Sequence, residues 1–350
     1  MSNIKSLSFP LILLLGLFCM SLACSGADKE PEEKIIVAYV TSWSDVIPDP
    51  SDFTHLNYAF GHVNESFDGI KIDNVERFKN MIKLKEKNPD LKVLLSIGGW
   101  GSGRFSEMAA SDSLRKSFAK NCGQLIEEYK FDGIDIDWEY PTIGWAGISS
   151  DPEDTKNFTL LMADIREAIS EDKLLTLASS ATARYVDFNA VVPIVDFVNL
   201  MTYDMSDGME HHSPLFSSSI MPEMTTDKSV RLHREAGVPD EKIVLGIPFF
   251  GRGNHNNETY YKEYKDITLQ PGQQEKWDSI SKSPYIADSD GNFVIGFDNP
   301  HSVEIKCEYI LDNNLKGAMF WDYNGDDSSR SLSQTIKKVL KGKNFSEKKQ

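Results

Sequence analysis

FDGIDIDWEY, residues 131–140, sets Asp132, Asp135, Asp137 and Glu139 among apolar neighbours. Side chains alternate along a β-strand. Read as a strand, the stretch puts Gly133, Asp135, Asp137 and Glu139 on one face and Ile134, Ile136 and Trp138 on the other. The apolar face suits packing against helices. The acidic face must then point into an enclosed interior, which a closed barrel of parallel strands provides.

Seven further short, apolar, β-branched runs lie outward from this one, at residues 35–40, 55–60, 92–97, 174–179, 197–203, 242–248 and 317–323. Amphipathic helical patterns separate them. Leu114, Phe118, Cys122, Leu125 and Tyr129 fall at helical spacing before the acidic strand, and Phe158, Met162, Ile165 and Ile169 do so after it. Ser150-Asp151-Pro152 reads as the N-cap and first turn of the second of these helices. Eight strands alternating with helices predict an α/β chain folded as a (β/α)8 TIM barrel. An open doubly wound sheet is the competing fold. It carries a Gly-rich phosphate turn after its first strand, whereas the first run here continues into YVTSWSDV, without glycine. One connection, from Gly253 to Gly317, is long for a barrel and holds a single helical pattern near 301–313. It predicts a small insertion at about 254–298, between the seventh and eighth strands. The barrel then runs over 35–341, and residues 342–350 read as a disordered tail.

Residues 1–24 have the form of an export signal: Lys5, a short apolar core, then Ser21-Leu22-Ala23-Cys24. The last four resemble a lipobox, with Cys24 as the lipidated residue. A plain cleaved secretory signal is the alternative. Residues 25–34, acidic and Pro-containing, read as a tether. The expected location is therefore the cell envelope as a lipoprotein, otherwise secreted, with membrane contact only through the N-terminal lipid. Lys and Arg number 37 against 53 Asp and Glu, a formal net charge of −16, which argues against nucleic acid or an anionic lipid surface as partner. Cys122 and Cys307 sit on separate helical patterns and read as buried apolar groups.

Neighbouring side chains on one face of a strand are roughly 6–7 Å apart. Three carboxylates so spaced in a low-dielectric interior do not all ionise, and at least one keeps a proton near neutral pH. Placed at the C-terminal end of a barrel strand, such a group is a general acid. The rival use of D-x-D-x-E is to offer oxygens to a divalent cation.

With these residues in hand, the chain resembles glycoside hydrolase family 18, the chitinase family. Asp132–Glu139 matches its D-x-x-D-x-D-x-E motif, continued by Tyr140-Pro141; Ser96-Ile97-Gly98-Gly99 matches S-x-G-G; Met201-Thr202-Tyr203-Asp204 matches the sixth-strand motif; and Trp321 stands where the family keeps its eighth-strand tryptophan. Phe297-Asp298-Asn299-Pro300, with Ser302 and Lys306, looks like the stretch closing the family's insertion. The resemblance implies cleavage of β-1,4 bonds after N-acetylglucosamine, with retention and through an oxazolinium ion formed by the substrate's acetamido group. It implies Glu139 as acid and then base, Asp137 and Asp135 sharing a proton beside it, and Tyr203 on the acetamido carbonyl. It further implies Trp321 as the sugar floor, Tyr39 and Phe60 as walls, and substrate contacts from Ser96, Gly98, Gly99, Trp100, Tyr140, Met201, Asp204 and Arg252. No cofactor or metal is implied. The expected partner is an N-acetylglucosamine oligo- or polysaccharide, and the expected state is a monomer.

Two departures stand out. Phe249-Phe250-Gly251-Arg252 replaces the family's Phe-Tyr-Gly-Arg, and no tryptophan follows Tyr203-Asp204. The second removes a stacking surface for the leaving-group sugar, for which the loop residues Trp43, Trp100 and Trp145 are candidates. An endo-β-N-acetylglucosaminidase acting on N-glycans and a non-catalytic glycan-binding relative are the alternatives.

Overall fold

The computed structural model describes residues 33–220, 223–255 and 258–346. Cys24 and most of the tether lie outside them.

Eight parallel strands close into a barrel: β1 (Ile35–Thr41), β2 (His55–Val63), β4 (Lys92–Gly98), β5 (Gly133–Asp137), β6 (Leu174–Ser180), β7 (Phe197–Met201), β8 (Ile243–Pro248) and β14 (Gly317–Trp321). The pairing runs β1-β14-β8-β7-β6-β5-β4-β2 and returns to β1, so no edge remains among these eight. The short β3 (Ile70–Ile72) adds antiparallel to β2, outside the barrel. The (β/α)8 expectation is met. The helices are α1 (Val75–Ile82), α2 (Phe105–Ala110), α3 (Asp112–Tyr129), α4 (Asp154–Ala168), α5 (Phe188–Val191), α6 (Thr226–Glu235), α7 (Pro300–Asp312) and α8 (Ser331–Ser346).

Alternation in β5 sorts the side chains as expected. Ile134, Ile136 and Trp138 join the large apolar layer between strands and helices, and Trp138 stacks on Phe105 with centroids 5.2 Å apart. Asp135 and Asp137 face inward. Asp132 lies on the helix side at the strand's start, paired with Lys85 at 2.6 Å. The interior holds a second, smaller apolar cluster that includes Tyr39, Phe60, Met201 and Met319.

Three boundaries differ from the sequence reading. The insertion is a five-stranded antiparallel sheet of β9 (Phe250–His255), β10 (Glu258–Glu263), β11 (Gln274–Asp278), β12 (Ser283–Ala287) and β13 (Phe293–Gly296). It begins directly after β8, four residues before the expected 254. Helix α4 starts at Asp154 rather than at Pro152. The buried Asp154 carboxylate accepts from the Asp151 and Thr142 N–H groups and from Ser106, which holds 151–153 as a turn. Helix α8 continues to Ser346, so it takes in residues assigned to the disordered tail, and of that tail 347–350 lie outside the described residues.

Candidate active site

A cleft of about 620 Å³ opens at the C-terminal ends of the barrel strands, a volume suited to a few sugar rings. Tyr39, Phe60, Gly98, Gly99, Trp100, Asp137, Glu139, Tyr140, Met201, Tyr203, Asp204, Arg252 and Trp321 all line it. The Trp321 ring lies 5.6 Å from those of Tyr39 and Phe60, stacked on the latter at 20°. These rings make a floor and two walls of the kind that sugar C–H faces contact. The peptide bonds 59–60, 139–140 and 321–322 are cis.

Gly98 and Gly99 bring this wall close. Register sets Gly98 opposite Asp137, and a Cβ on Gly98 would fall 1.9 Å from the Asp137 carbonyl oxygen. At Gly99 a Cβ would meet the Phe60 ring at 2.6 Å, and φ is +91°. Only glycine fits both positions.

Asp135 is fully buried and does not border the cleft. Tyr39 Oη and Ser96 Oγ donate to its Oδ2 at 2.8 and 2.7 Å; Thr176 Oγ1 and Asn199 Nδ2 donate to Oδ1 at 2.6 and 3.2 Å. Burial raises its pKa, and these four donors pull against that rise. Asp137 lies above it, 4% exposed, with Oδ1 unpartnered among the described residues. Burial, then the charges of Glu139 and Asp135, raise its pKa well above the carboxylate range. Glu139, at the mouth, is lifted to about 7 by burial, with a hydrogen bond from Tyr140 opposing and the Asp204 charge adding. Burial thus raises all three carboxyls of this strand face.

The opposite wall joins the barrel to the insertion. The Arg252 fork on β9 meets both Asp204 oxygens at 2.7 Å. Burial pushes Asp204 up, but Arg252 and then His212 outweigh it and hold the carboxyl well below its usual range. Arg252 also lies over the rings of Phe250 and Tyr261. The Tyr203 hydroxyl reaches only the Met319 sulfur, at 3.8 Å, among the described residues.

One sequence assignment moves: Ser96 is fully buried rather than facing a substrate, while Asp135 lies beneath the cleft within reach of Tyr39 and Ser96. Ser96 pairs in register with Asp135, so its side chain points to the interior below the opening. Sequence reasoning missed Thr176 and Asn199 as supports of Asp135, and His62, Ala178 and Tyr261 as lining residues. Alternation along β6 and β7 carried a signal for the first two, because polar residues at inward positions need partners. Tyr261 carried none, since an aromatic in a polar insertion reads as packing. Among the described residues no group of three or more His, Cys, Asp or Glu is arranged to hold a metal ion.

The model of the glycosyl hydrolases family 18 matches residues 35–326. The chain belongs to glycoside hydrolase family 18. It is 30% identical to chitinase A1 of Niallia circulans over an alignment 435 positions long, covering 94% of this chain and 62% of that protein. It spans, then, less than two thirds of that relative's length. A solved glycoside hydrolase family 18 N-acetylglucosaminidase from Paenibacillus barengoltzii superposes with a TM-score of 0.80 at 33% identity, covering 87% of this chain and 99% of the other. The Group IV chitinase of Ostrinia furnacalis does so with 0.79 at 30% identity, covering 88% and 100%. The family motifs fall on β4, β5, β7 and β14, whose ends meet in one cleft.

Proposed function

We propose that this family 18 chain is a retaining glycosidase that cleaves β-1,4 bonds after N-acetylglucosamine in chitin-type oligosaccharides. The observation that carries the reading is Glu139, a carboxyl lifted to about 7 at the mouth of an aromatic cleft. At neutral pH roughly half of such groups hold a proton. That proton passes to the glycosidic oxygen as the C–O bond breaks.

The usual retaining scheme needs a second carboxylate as nucleophile. Asp137 is poorly suited, because burial, Glu139 and Asp135 favour its protonated form, and a protonated carboxyl does not attack. The substrate's acetamido oxygen takes that place and closes onto the anomeric carbon as an oxazolinium ion. Asp137, whose Oδ1 is unpartnered among the described residues, accepts the acetamido N–H. Release of its proton toward Asp135 sets a negative charge against the cation. Tyr203, with only a thioether as partner among the described residues, donates to the acetamido oxygen. Glu139, now a carboxylate, takes a proton from the water that opens the oxazolinium, which restores the acid and gives retention.

Glu139→Gln is expected to lower kcat/KM by about a thousandfold or more on chitin oligomers while their binding, read by calorimetry, persists. A variant with near wild-type turnover would remove Glu139 as the acid. A second reading, release of single N-acetylglucosamine units or cleavage of an N-glycan core, draws on the N-acetylglucosaminidase relative and on the tryptophan-free run after Asp204. Product analysis on chitin oligomers beside a high-mannose N-glycan separates the two. We also propose surface anchoring through Cys24, supported by the Ser21–Cys24 pattern; mass spectrometry of the mature N-terminus checks it.

A further inference from the structure

Trp145 is exposed in an unusual way. It stands on the loop between β5 and α4 with 53% of its surface open, yet it borders the cleft. An indole left in water forgoes apolar burial that a folded chain ordinarily takes up. Its orientation is nonetheless set by two rings. Tyr140 meets it edge-on at 6.2 Å and Tyr185 at 6.4 Å, and those two tyrosines stack on each other at 5.1 Å and 23°. Tyr140 follows the acid Glu139 directly, so this trio grows out of the catalytic strand.

The same loop abuts the turn that carries Trp100, itself 63% exposed: the Cβ of Ala146 lies 3.8 Å from the Cβ position of Gly101. Two exposed indoles therefore share one end of the cleft. The floor ring, Trp321, belongs to a different group, with Tyr39, Phe60 and Trp43, and no ring contact joins the two groups among the described residues. Glu139 precedes Tyr140 and takes a hydrogen bond from its hydroxyl, so the carboxyl adjoins the Trp145 group. An acid protonates the oxygen that links the sugar on the floor to the sugar that departs. The group without the floor ring, on the acid's own loop, is the one left to meet the departing sugar.

We propose that Trp145, propped by Tyr140 and Tyr185, is the platform for the leaving-group sugars, and that it substitutes for the tryptophan absent after Asp204. The inference rests on the glycosidase reading and adds a specificity-determining residue to it. It implies that a chain is held mainly by what lies beyond the cut bond, and that the preferred bond in an oligomer is set from its reducing end.

The test compares Trp145→Ala and Trp145→Phe with wild type on chitopentaose and on a fluorogenic chitobioside, whose leaving group carries no sugar. The expected result for Trp145→Ala is a KM on chitopentaose raised roughly tenfold more than on the chitobioside, with the cut shifted along the pentamer. Trp145→Phe restores most of the difference. Equal losses on both substrates, or an unshifted cleavage pattern, would overturn the proposal while leaving the glycosidase reading intact. Failure of the wild-type protein to hydrolyse the chitobioside would instead sink the glycosidase reading, and the platform with it.

Discussion

Glu139 binds its proton more tightly in the folded chain, at about 7, than at its ordinary value of 4.5. Between those pH values the folded state holds more protons than the unfolded one, so stability falls as pH rises. Below 4.5 both states are protonated and the difference vanishes. Above about 7 it is complete, on the order of 3 kcal/mol. Glu139→Gln is therefore expected to be more stable than wild type at pH 8, with the gap closing toward pH 4.5; thermal unfolding across that range measures it. Equal stability at both ends would mean that burial leaves Glu139 unperturbed. Activity has the same origin. In the proposed mechanism the acid must start protonated, so kcat/KM is expected to decline above about 7. At this scale the acidic strand was readable because alternation alone separates Asp135, Asp137 and Glu139 from their apolar neighbours. The depth of each group was not. Period-two patterning gives a face but not a height within the barrel, so Ser96 was expected at the substrate and lies beneath it.

The barrel strands were legible because each is buried on both sides and reads as an apolar run. The insertion strands were not. β11 is largely exposed, β10 mixes tyrosines with charged residues, β9 carries two glycines, and β12 and β13 are short. One side of such a sheet faces solvent, so its pattern merges with that of a loop. The start of α4 was misplaced for a related reason: Pro152 suits a first helical turn, but the buried Asp154 recruits the N–H groups around it and delays the helix. Lys306 ties these parts together. Fully buried in α7, its ammonium donates to Ser213 O and Oγ at 2.7 and 2.8 Å and to Asp298 Oδ2 at 2.5 Å. Burial lowers its pKa, and Asp298 opposes that shift. The group thus fastens the end of the insertion to the segment that follows Asp204. Lys306→Ala leaves Asp298 buried without its cation, which costs about 3–5 kcal/mol. Denaturant unfolding is expected to show that loss, and Lys306→Ala/Asp298→Ala is expected to recover part of it. A single variant within about 0.5 kcal/mol of wild type would mean that water reaches the site.

Across the whole molecule, the insertion sets the charge felt by an acid on the far wall of the cleft. Arg252 comes from the insertion sheet, Asp204 follows β7, and Glu139 follows β5. The Asp204 charge is among the causes that raise Glu139, and Arg252 keeps Asp204 ionised. The pair therefore acts on Glu139 as a partly neutralised negative charge, and its two members are expected to act in opposite directions. Asp204→Asn removes the charge, so the alkaline limb of kcat/KM moves to lower pH. Arg252→Ala leaves Asp204 charged and without its fork, so the limb moves to higher pH, by roughly half to one unit for a charge at this range. Arg252→Lys keeps the charge without the bidentate geometry and falls between. Profiles of the three variants on a fluorogenic chitobioside measure the order. Limbs that moved the same way for Asp204→Asn and Arg252→Ala would mean that the pair only shapes the wall. The predicted order would mean that the barrel and its insertion together set the pH range over which Glu139 remains an acid.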